Sequence, residues 1–279
     1  LAFLDSDDFF DTRFLEEMFS RAIRSESDIV ICNYFEFDNT KRKVYARKVN
    51  PLFWTLSEKS FFSPADIPET IFNIFSFSPW NKIFSRKFVQ DNQIRFQSLS
   101  SCNDLFFTSA ALAMAKRISV TDKNLVYWRI NRPDSITSLK KTSLSITNAY
   151  KAWKKVKSIL EEKFLYDQFR KSFVNASAES FLYELNCLTL INRIKILELL
   201  KSEWLENLDL TGHPEEYYYF NGHYKAIQNI LNDTFHVPNP FKLMKYHFLS
   251  IFTFGKRQKY YYDKYLYQKT ISDYFANNK

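Results

Sequence analysis

Asp5-Ser6-Asp7-Asp8 is the stretch of this sequence best equipped for chemistry. It closes a short apolar run, Leu1 to Leu4, that reads as a buried strand opening into an acidic turn. Carboxylates two residues apart at a strand end can face one pocket. Their hard oxygen donors select Mg²⁺ or Mn²⁺, and such a cation can bridge a diphosphate and neutralise a leaving group. The other reading is a helix-capping acidic turn on a solvated surface. The strand leading into the turn favours the pocket, because open α/β sheets place ligands at the carboxyl ends of their strands.

The surrounding elements follow from periodicity. A helix capped by Asp11 or Thr12 carries Phe14, Leu15, Met18, Phe19, Ala22 and Ile23 as its apolar stripe. Asp28 to Phe37 is rich in β-branched and aromatic residues and reads as a strand. Residues 38–65 read as a variable loop region and Pro68 to Phe77 as a short helix. Asn103 to Lys116 is a helix with Asn103 or Asp104 near its start. Arg117 to Thr121 and Leu125 to Ile130 read as two short strands. From about 143 the pattern turns helical, over 143–163, 167–187, 191–207, 223–235 and 240–275. The boundary between an α/β part (1–140) and an all-helical part (141–279) is placed near 140.

Composition narrows the chemistry. The 279 residues contain only three glycines, Gly212, Gly222 and Gly255. They cannot build a glycine-rich dinucleotide or phosphate loop, and there is no G-x-S-x-G nucleophile elbow. Any phosphate is therefore held by something other than a glycine nest, and a cation at Asp5 and Asp7 would serve. The net charge of +8 is unevenly spread. Residues 1–38 carry a balance of −7 and residues 241–279 one of +6, which suggests separate tasks for the two ends. Cys32, Cys102 and Cys187 have neither metal-ligand nor redox spacing, which fits a reduced, cytoplasmic setting. No apolar run reaches the length of a membrane span. His213, His223, His236 and His247 show no metal spacing and read as structural or surface residues.

Five segments in order resemble the family 2 glycosyltransferases of the GT-A fold. Phe3-Leu4-Asp5-Ser6-Asp7-Asp8-Phe9-Phe10 resembles the D-x-D region. Ser78-Pro79-Trp80-Asn81-Lys82-Ile83-Phe84 resembles the W-N-K segment. Asn103-Asp104-Leu105-Phe106-Phe107 stands where the family has E-D-x-x-F. Lys116 to Val120 and Tyr127-Trp128-Arg129 resemble the following strand pair, and Arg132-Pro133-Asp134-Ser135-Ile136-Thr137 resembles the R-P-G-S-I-T loop. The resemblance implies the C-terminal part of a GT-A catalytic domain over 1–140, followed by the helical region. It implies an inverting, metal-dependent transfer of a sugar from a nucleotide-diphosphate donor to a glycan or lipid-linked acceptor, in surface polysaccharide synthesis of bacterial type.

Roles follow from that resemblance. Asp7 would ligate Mn²⁺ or Mg²⁺, with Asp8 supporting it and Asp5 near the nucleotide ribose or diphosphate. Asp104 would be the general base for the acceptor hydroxyl; without the family pattern it reads equally as a carboxylate favoured by the helix dipole. Asn103 replaces the usual Glu and removes a neighbouring charge on the acceptor side. Trp80 could stack on a sugar, with Asn81 and Lys82 hydrogen-bonding nearby, or be a core tryptophan beside a proline turn. Arg129 and Arg132 could pair with a diphosphate, because guanidinium matches phosphate, or be solvated loop residues. The family's nucleotide-binding half is expected upstream of Leu1, and weak or no transfer is expected from these residues alone.

Two other functions fit parts of the sequence. Asp5-x-Asp7 after an apolar strand also suits a metal-dependent phosphatase of the haloacid dehalogenase type, which needs a second acidic pair that the sequence does not place. A non-enzymatic remnant that binds membrane or partner proteins is the third reading. Phe241 to Phe275 interleaves Phe, Tyr and Lys. This suits either an anionic membrane surface at the cytoplasmic face or a helical bundle packed on the catalytic part. No nucleic-acid motif accompanies it, so nucleic acid is not expected as a partner.

Overall fold

The computed structural model describes residues 1–46, 50–132, 143–188 and 190–232. Its centre is a five-stranded mixed sheet. The strands are β1 (Phe9–Phe10), β2 (Ile29–Asp38), β3 (Lys43–Ala46), β4 (Lys82–Phe84) and β5 (Ile118–Ile130). They lie in the order β1-β5-β2-β3, and β4 pairs with the first half of β2. β2 and β5 run parallel and the other pairings are antiparallel.

The β2 sequence Ile-Val-Ile-Cys explains its central place. Both of its faces are covered, as parallel strands require. Ile29 and Ile31 join the larger apolar cluster, whereas Val30, Cys32 and Tyr34 meet Phe14 and Met18 of α1 (Phe14–Ser25) on the opposite face. β5 is one long strand, not the expected two. The polar stretch Thr121-Asp122-Lys123-Asn124 is a bulge: Cys32 pairs with Thr121, but Asn33 already pairs with Asn124 and Tyr34 with Val126. The extra residues turn β5 over. Ile118 and Val120 point into the larger cluster, and Leu125 and Val126 into the smaller one.

Two expectations near the start need correction. The strand over Leu1–Leu4 reduces to one bridge, Ala2 opposite Ile83, and Leu1 and Leu4 are 48% and 44% exposed. The α1 stripe also splits. Phe14 and Met18 are buried against the sheet, but Leu15, Phe19 and Ile23 are even more exposed than Leu1, at 59%, 64% and 63%. At 100° per residue these three lie on a second helix face, which no described residue covers.

Residues 38–65 are not a plain loop. They hold β3, α2 (Pro51–Ser57) and a 3₁₀ turn at Pro64–Asp66. The start signals are local: the Asn50 side chain accepts from Leu52 N–H ahead of a proline at the first turn, and Ser63 and Asp66 form a capping box. Of Pro68 to Phe77, only α3 (Ile71–Ile74) is helical. α4 (Arg86–Asp91) follows β4.

α5 (Asn103–Met114) is buried from Leu105 to Ala113. Its small and apolar residues suit a helix enclosed on all sides. α6 (Ser143–Glu162), α7 (Tyr166–Cys187), α8 (Leu190–Leu199), α9 (Leu205–Asn207) and α10 (Asn221–Leu231) make up the described helical part, with a π-helical turn at Leu200–Trp204. Buried residues of α6 and α7 join those of β2, α3 and α5 in one cluster. Residues 133–142, where the change of pattern falls, and the expected helix at 240–275 lie outside the described residues, as do His236 and His247. His213 stacks on Tyr217 and bonds the Asp209 carbonyl, and His223 is half-buried, in keeping with structural roles. No helix among the described residues is long and apolar enough to cross a membrane.

The scarcity of glycine has a visible consequence. Among the described residues, seven that are not glycine take positive φ, including Glu26, Cys102, Asn131, Phe164 and Asp209. Phe164 does so at φ 58° while 95% exposed, so no packing compensates the backbone cost. We expect Phe164→Gly to raise stability by about 0.5–1 kcal/mol, measured by urea unfolding.

Asp209 accepts from Arg170 Nε and Nη2 at 2.6 and 3.0 Å and from Tyr166 OH at 2.7 Å. Burial alone would raise its carboxyl. The Arg170 and Tyr166 bonds outweigh burial and hold it below the ordinary range. A depressed carboxylate stabilises the fold above its unfolded value near about 4, and that contribution is lost as pH falls through the lower folded value. Asp209→Asn, which tolerates the same backbone, should cost about 1–2 kcal/mol at pH 7. The gap between variant and wild type should shrink at pH 3 in the same unfolding measurement.

Candidate functional site

The acidic turn is closed by Asp8 N–H donating to the Asp5 carbonyl at 3.2 Å. β1 follows immediately and pairs with Val126 and Tyr127, so the turn hangs over the end of β5. Three contacts from β5 and the residues just after it hold it there. Arg129 N–H donates to Asp8 Oδ1 at 2.8 Å, and Arg129 Nη1 reaches the Asp7 carbonyl at 3.4 Å. Arg132 forms an ion pair with the Asp7 carboxylate. The Arg129 guanidinium also donates to Asn39 Oδ1 and lies 5.3 Å from the centre of the Phe9 ring. Arg129 is therefore a clamp on the turn.

Asp5, Asp7 and Asp8 each offer a carboxylate oxygen within 4.8 Å of the others. These are three hard, anionic donors, and their mutual repulsion favours a shared cation, so the donor set fits Mg²⁺ or Mn²⁺. Partial burial raises the Asp5 carboxyl. Asp8 is pushed up to about 6, first by burial and then by the charge of Asp5, against the opposing Arg129 N–H and guanidinium.

Asp104 sits in the first turn of α5, and its charge senses both Asp5 and Lys82. Burial raises its carboxyl, and the Asp5 charge adds to that. The N–H groups of Asp104 and Leu105 at the helix start, and the Lys82 ammonium, pull the other way. The acidic turn and α5 thus share one electrostatic site, with Asn103 exposed beside it. The loop before α5 is fixed from the helical part, where Asn148 of α6 donates to Ser100 Oγ and Ser101 Oγ at 3.1 and 3.0 Å.

Trp80, Asn81 and Lys82 are not on the open surface. Trp80 is 4% exposed and packs against Tyr34 and Trp128, at centroid distances of 4.6 and 6.2 Å. Asn81 Nδ2 donates to the Cys32 carbonyl, and the Asn81 carbonyl accepts from Cys32 N–H. Lys82 is fully buried, with Nζ donating at 2.8 Å to Ser76 O, Ser78 O and Asn81 Oδ1. The polar side-chain atoms of Asn81 and Lys82 thus bond within the protein, and the Trp80 ring packs in the core. Trp80 is the core tryptophan of its two readings.

Three supporting residues were not singled out by the sequence. Buried Asp38 accepts from Thr40 N–H and Oγ, Lys41 N–H and Asn131 Nδ2, holding the β2–β3 turn against the end of β5. Its signal was the turn-forming run Asp38-Asn39-Thr40-Lys41. Asn39 and Asn148 act over 90 and 48 residues of separation, and nothing local could reveal them. Pro133, Asp134 and the rest of the expected loop to Thr137 lie outside the described residues.

No protein-family model matches the chain. EpsH of Bacillus subtilis (strain 168), a protein named as a glycosyltransferase, is 28% identical over 137 residues, covering 47% of this chain and 37% of that protein. The chain therefore spans well under half of that curated relative in matched sequence. Among solved structures, S. aureus TarS 1–349 in complex with UDP-GlcNAc aligns over 100% of this chain and 68% of its own, at 18% identity and a TM-score of 0.46. S. aureus TarS aligns over 74% of this chain and 38% of its own, at 19% identity and a TM-score of 0.36.

Lys82 gives the site a test of construction. Lys82→Met keeps the length of the side chain but strands the buried Asn81 Oδ1 and the part-buried carbonyls of Ser76 and Ser78. It should cost about 3 kcal/mol or more, read as a drop in the urea midpoint.

Proposed function

We propose that the chain is part of a metal-dependent, inverting glycosyltransferase of the GT-A type, acting on a nucleotide-diphosphate sugar. One observation carries the reading: Asp5, Asp7 and Asp8 bring carboxylate oxygens within 4.8 Å of one another, and Asp5 adds its charge at a separate carboxylate, Asp104. Sequence similarity to a protein named as a glycosyltransferase supports the same class.

Asp7, assisted by Asp5 and Asp8, would hold Mn²⁺ or Mg²⁺, which when bound offsets the charge of a diphosphate leaving group. Asp104 acts on the acceptor. A hydroxyl is a weak nucleophile, and a carboxylate within hydrogen-bond reach takes its proton as the new bond forms. The acceptor oxygen bonds to the anomeric carbon, the bond from that carbon to the diphosphate oxygen breaks, and the electron pair leaves with the diphosphate. One displacement inverts the carbon. Burial makes Asp104 a stronger base than a solvated aspartate.

We assign the acceptor to a glycan or lipid-linked hydroxyl and residues 240–279 to an anionic membrane surface at the cytoplasmic face, the latter on composition.

A thermal-shift screen of nucleotide sugars with and without Mn²⁺ tests the class. Mn²⁺-dependent stabilisation supports it. No response, together with phosphate release from a generic phosphoester, would move the site to the phosphatases. Asp104→Asn should leave that stabilisation in place and lower sugar transfer by the full-length polypeptide by about 100-fold or more. Because the working form of Asp104 is ionised and its value is raised, wild-type turnover should fall on acidification at a higher pH than an ordinary aspartate would impose. A radiolabelled transfer assay across pH reads this.

A further inference from the structure

The ion pair between Arg132 and Asp7 joins the residue proposed to ligate the cation to a residue proposed to meet the diphosphate. The backbone leading into Arg132 is anchored. Asn131, at φ 59°, donates through Nδ2 to Asp38 Oδ2 at 3.1 Å, and Asn39 N–H bonds the Ile130 carbonyl at 3.0 Å. Asp38 is itself buried and held by the Thr40 and Lys41 turn. The guanidinium thus reaches Asp7 from a fixed base, and any change of partner is a change of side-chain rotamer.

Arg129 is placed differently. Its side chain meets Asn39, the Asp7 carbonyl and the Phe9 ring. None of these is a carboxylate that a cation would claim, so Arg129 can stay in place when the site fills. Arg132 cannot keep its present partner in the same way. A divalent ion on the Asp7 carboxylate would place two positive groups on one anion, and they repel. A diphosphate arriving with the ion offers the displaced guanidinium a bidentate anionic partner.

We propose that Arg132 is a positioning residue that occupies Asp7 as a cation surrogate and exchanges to the diphosphate when metal and donor bind, making the two bind cooperatively. This rests on the metal-dependent reading of the site. It predicts that the metal alone binds against competition from Arg132, and that the competition ends once a diphosphate is present.

The test titrates Mn²⁺ into the 279-residue chain by electron paramagnetic resonance, with and without inorganic pyrophosphate. Wild type should bind Mn²⁺ more tightly when pyrophosphate is present. Arg132→Gln should bind Mn²⁺ alone about two- to fivefold more tightly than wild type, the scale of one partly exposed ion pair, and should show a smaller gain from pyrophosphate than wild type does. Arg132→Lys, which keeps the charge, should restore weaker binding of Mn²⁺ alone. A substitution that merely loosened the turn would weaken Mn²⁺ binding and so overturn the proposal. Unchanged affinity for Mn²⁺ alone, or a pyrophosphate gain in Arg132→Gln as large as in wild type, would also overturn it while leaving the metal site standing. Absence of Mn²⁺ binding in wild type, Arg132→Gln and Arg132→Lys alike would overturn both the metal reading and the exchange.

Discussion

The parallel pairing of β2 with β5 is the constraint on which the site depends. It runs from Ile29 opposite Ile118 to Asp38 opposite Ile130, and both faces of its first half are buried. Parallel strands expose no tolerable solvent face, so α1 must lie on one side and α3, α5 and α6 on the other. The two register shifts, which leave Asp122, Lys123 and Leu125 without a partner residue on β2, add an odd number of residues and so reverse which face β5 presents, and its second half joins the α1 side. That reversal brings Arg129 and Arg132 out at the end where the acidic turn hangs from β1. A regular β5 would send alternate side chains to the wrong faces, and the turn would lose its clamp.

Charge is managed at this end by proximity more than by neutralisation. Three carboxylates share a small volume, Asp104 feels the charge of Asp5 and of the buried Lys82, and Arg129 and Arg132 contact the turn. Lys82 has its three acceptors inside the protein, so its ammonium acts on Asp104 as a fixed charge and is not available to move. Arg129 is pinned through its backbone and its side chain. Arg132 faces a carboxylate directly, and the movable charge of the site is placed there. In the proposed function, side-chain cations and a metal held by the acidic turn would stand in for the backbone N–H nest that a chain with three glycines cannot build. The same scarcity leaves residues such as Asn131 and Cys102 to take left-handed backbone conformations beside the site.

Local features are legible in the residues themselves. The acidic turn, the helix starting at Asn103, the apolar β2 and the helices from 143 onward each carry a periodicity or capping signal within one element. Less legible are features set by what packs on them. Leu1 to Leu4 has the composition of a buried strand but has one bridged neighbour, and so stays largely exposed. Thr121 to Asn124 has the polarity of a turn, yet pairing with β2 carries the chain straight through it as a bulge. Trp80, Asn81 and Lys82 have the residue types of a sugar site, and the fold buries all three. The five ordered segments located the region of the chain that holds the acidic turn and Asp104, while the inward or outward direction of each side chain was beyond their reach.

The sequence by itself determined that carboxylates stand in a turn after an apolar run, that another carboxylate opens a helix, and that no glycine loop is available for phosphate. These are properties of neighbouring residues and of composition. Only the tertiary structure decided that Asp5 and Asp104, 99 positions apart in the chain, share one electrostatic site, that Asp8 is bonded to the backbone of Arg129, and that Arg132 rests on Asp7. The reason is physical. Hydrogen bonds and ion pairs between distant residues exist only after buried apolar faces have fixed the strand register, and that register depends on the whole core.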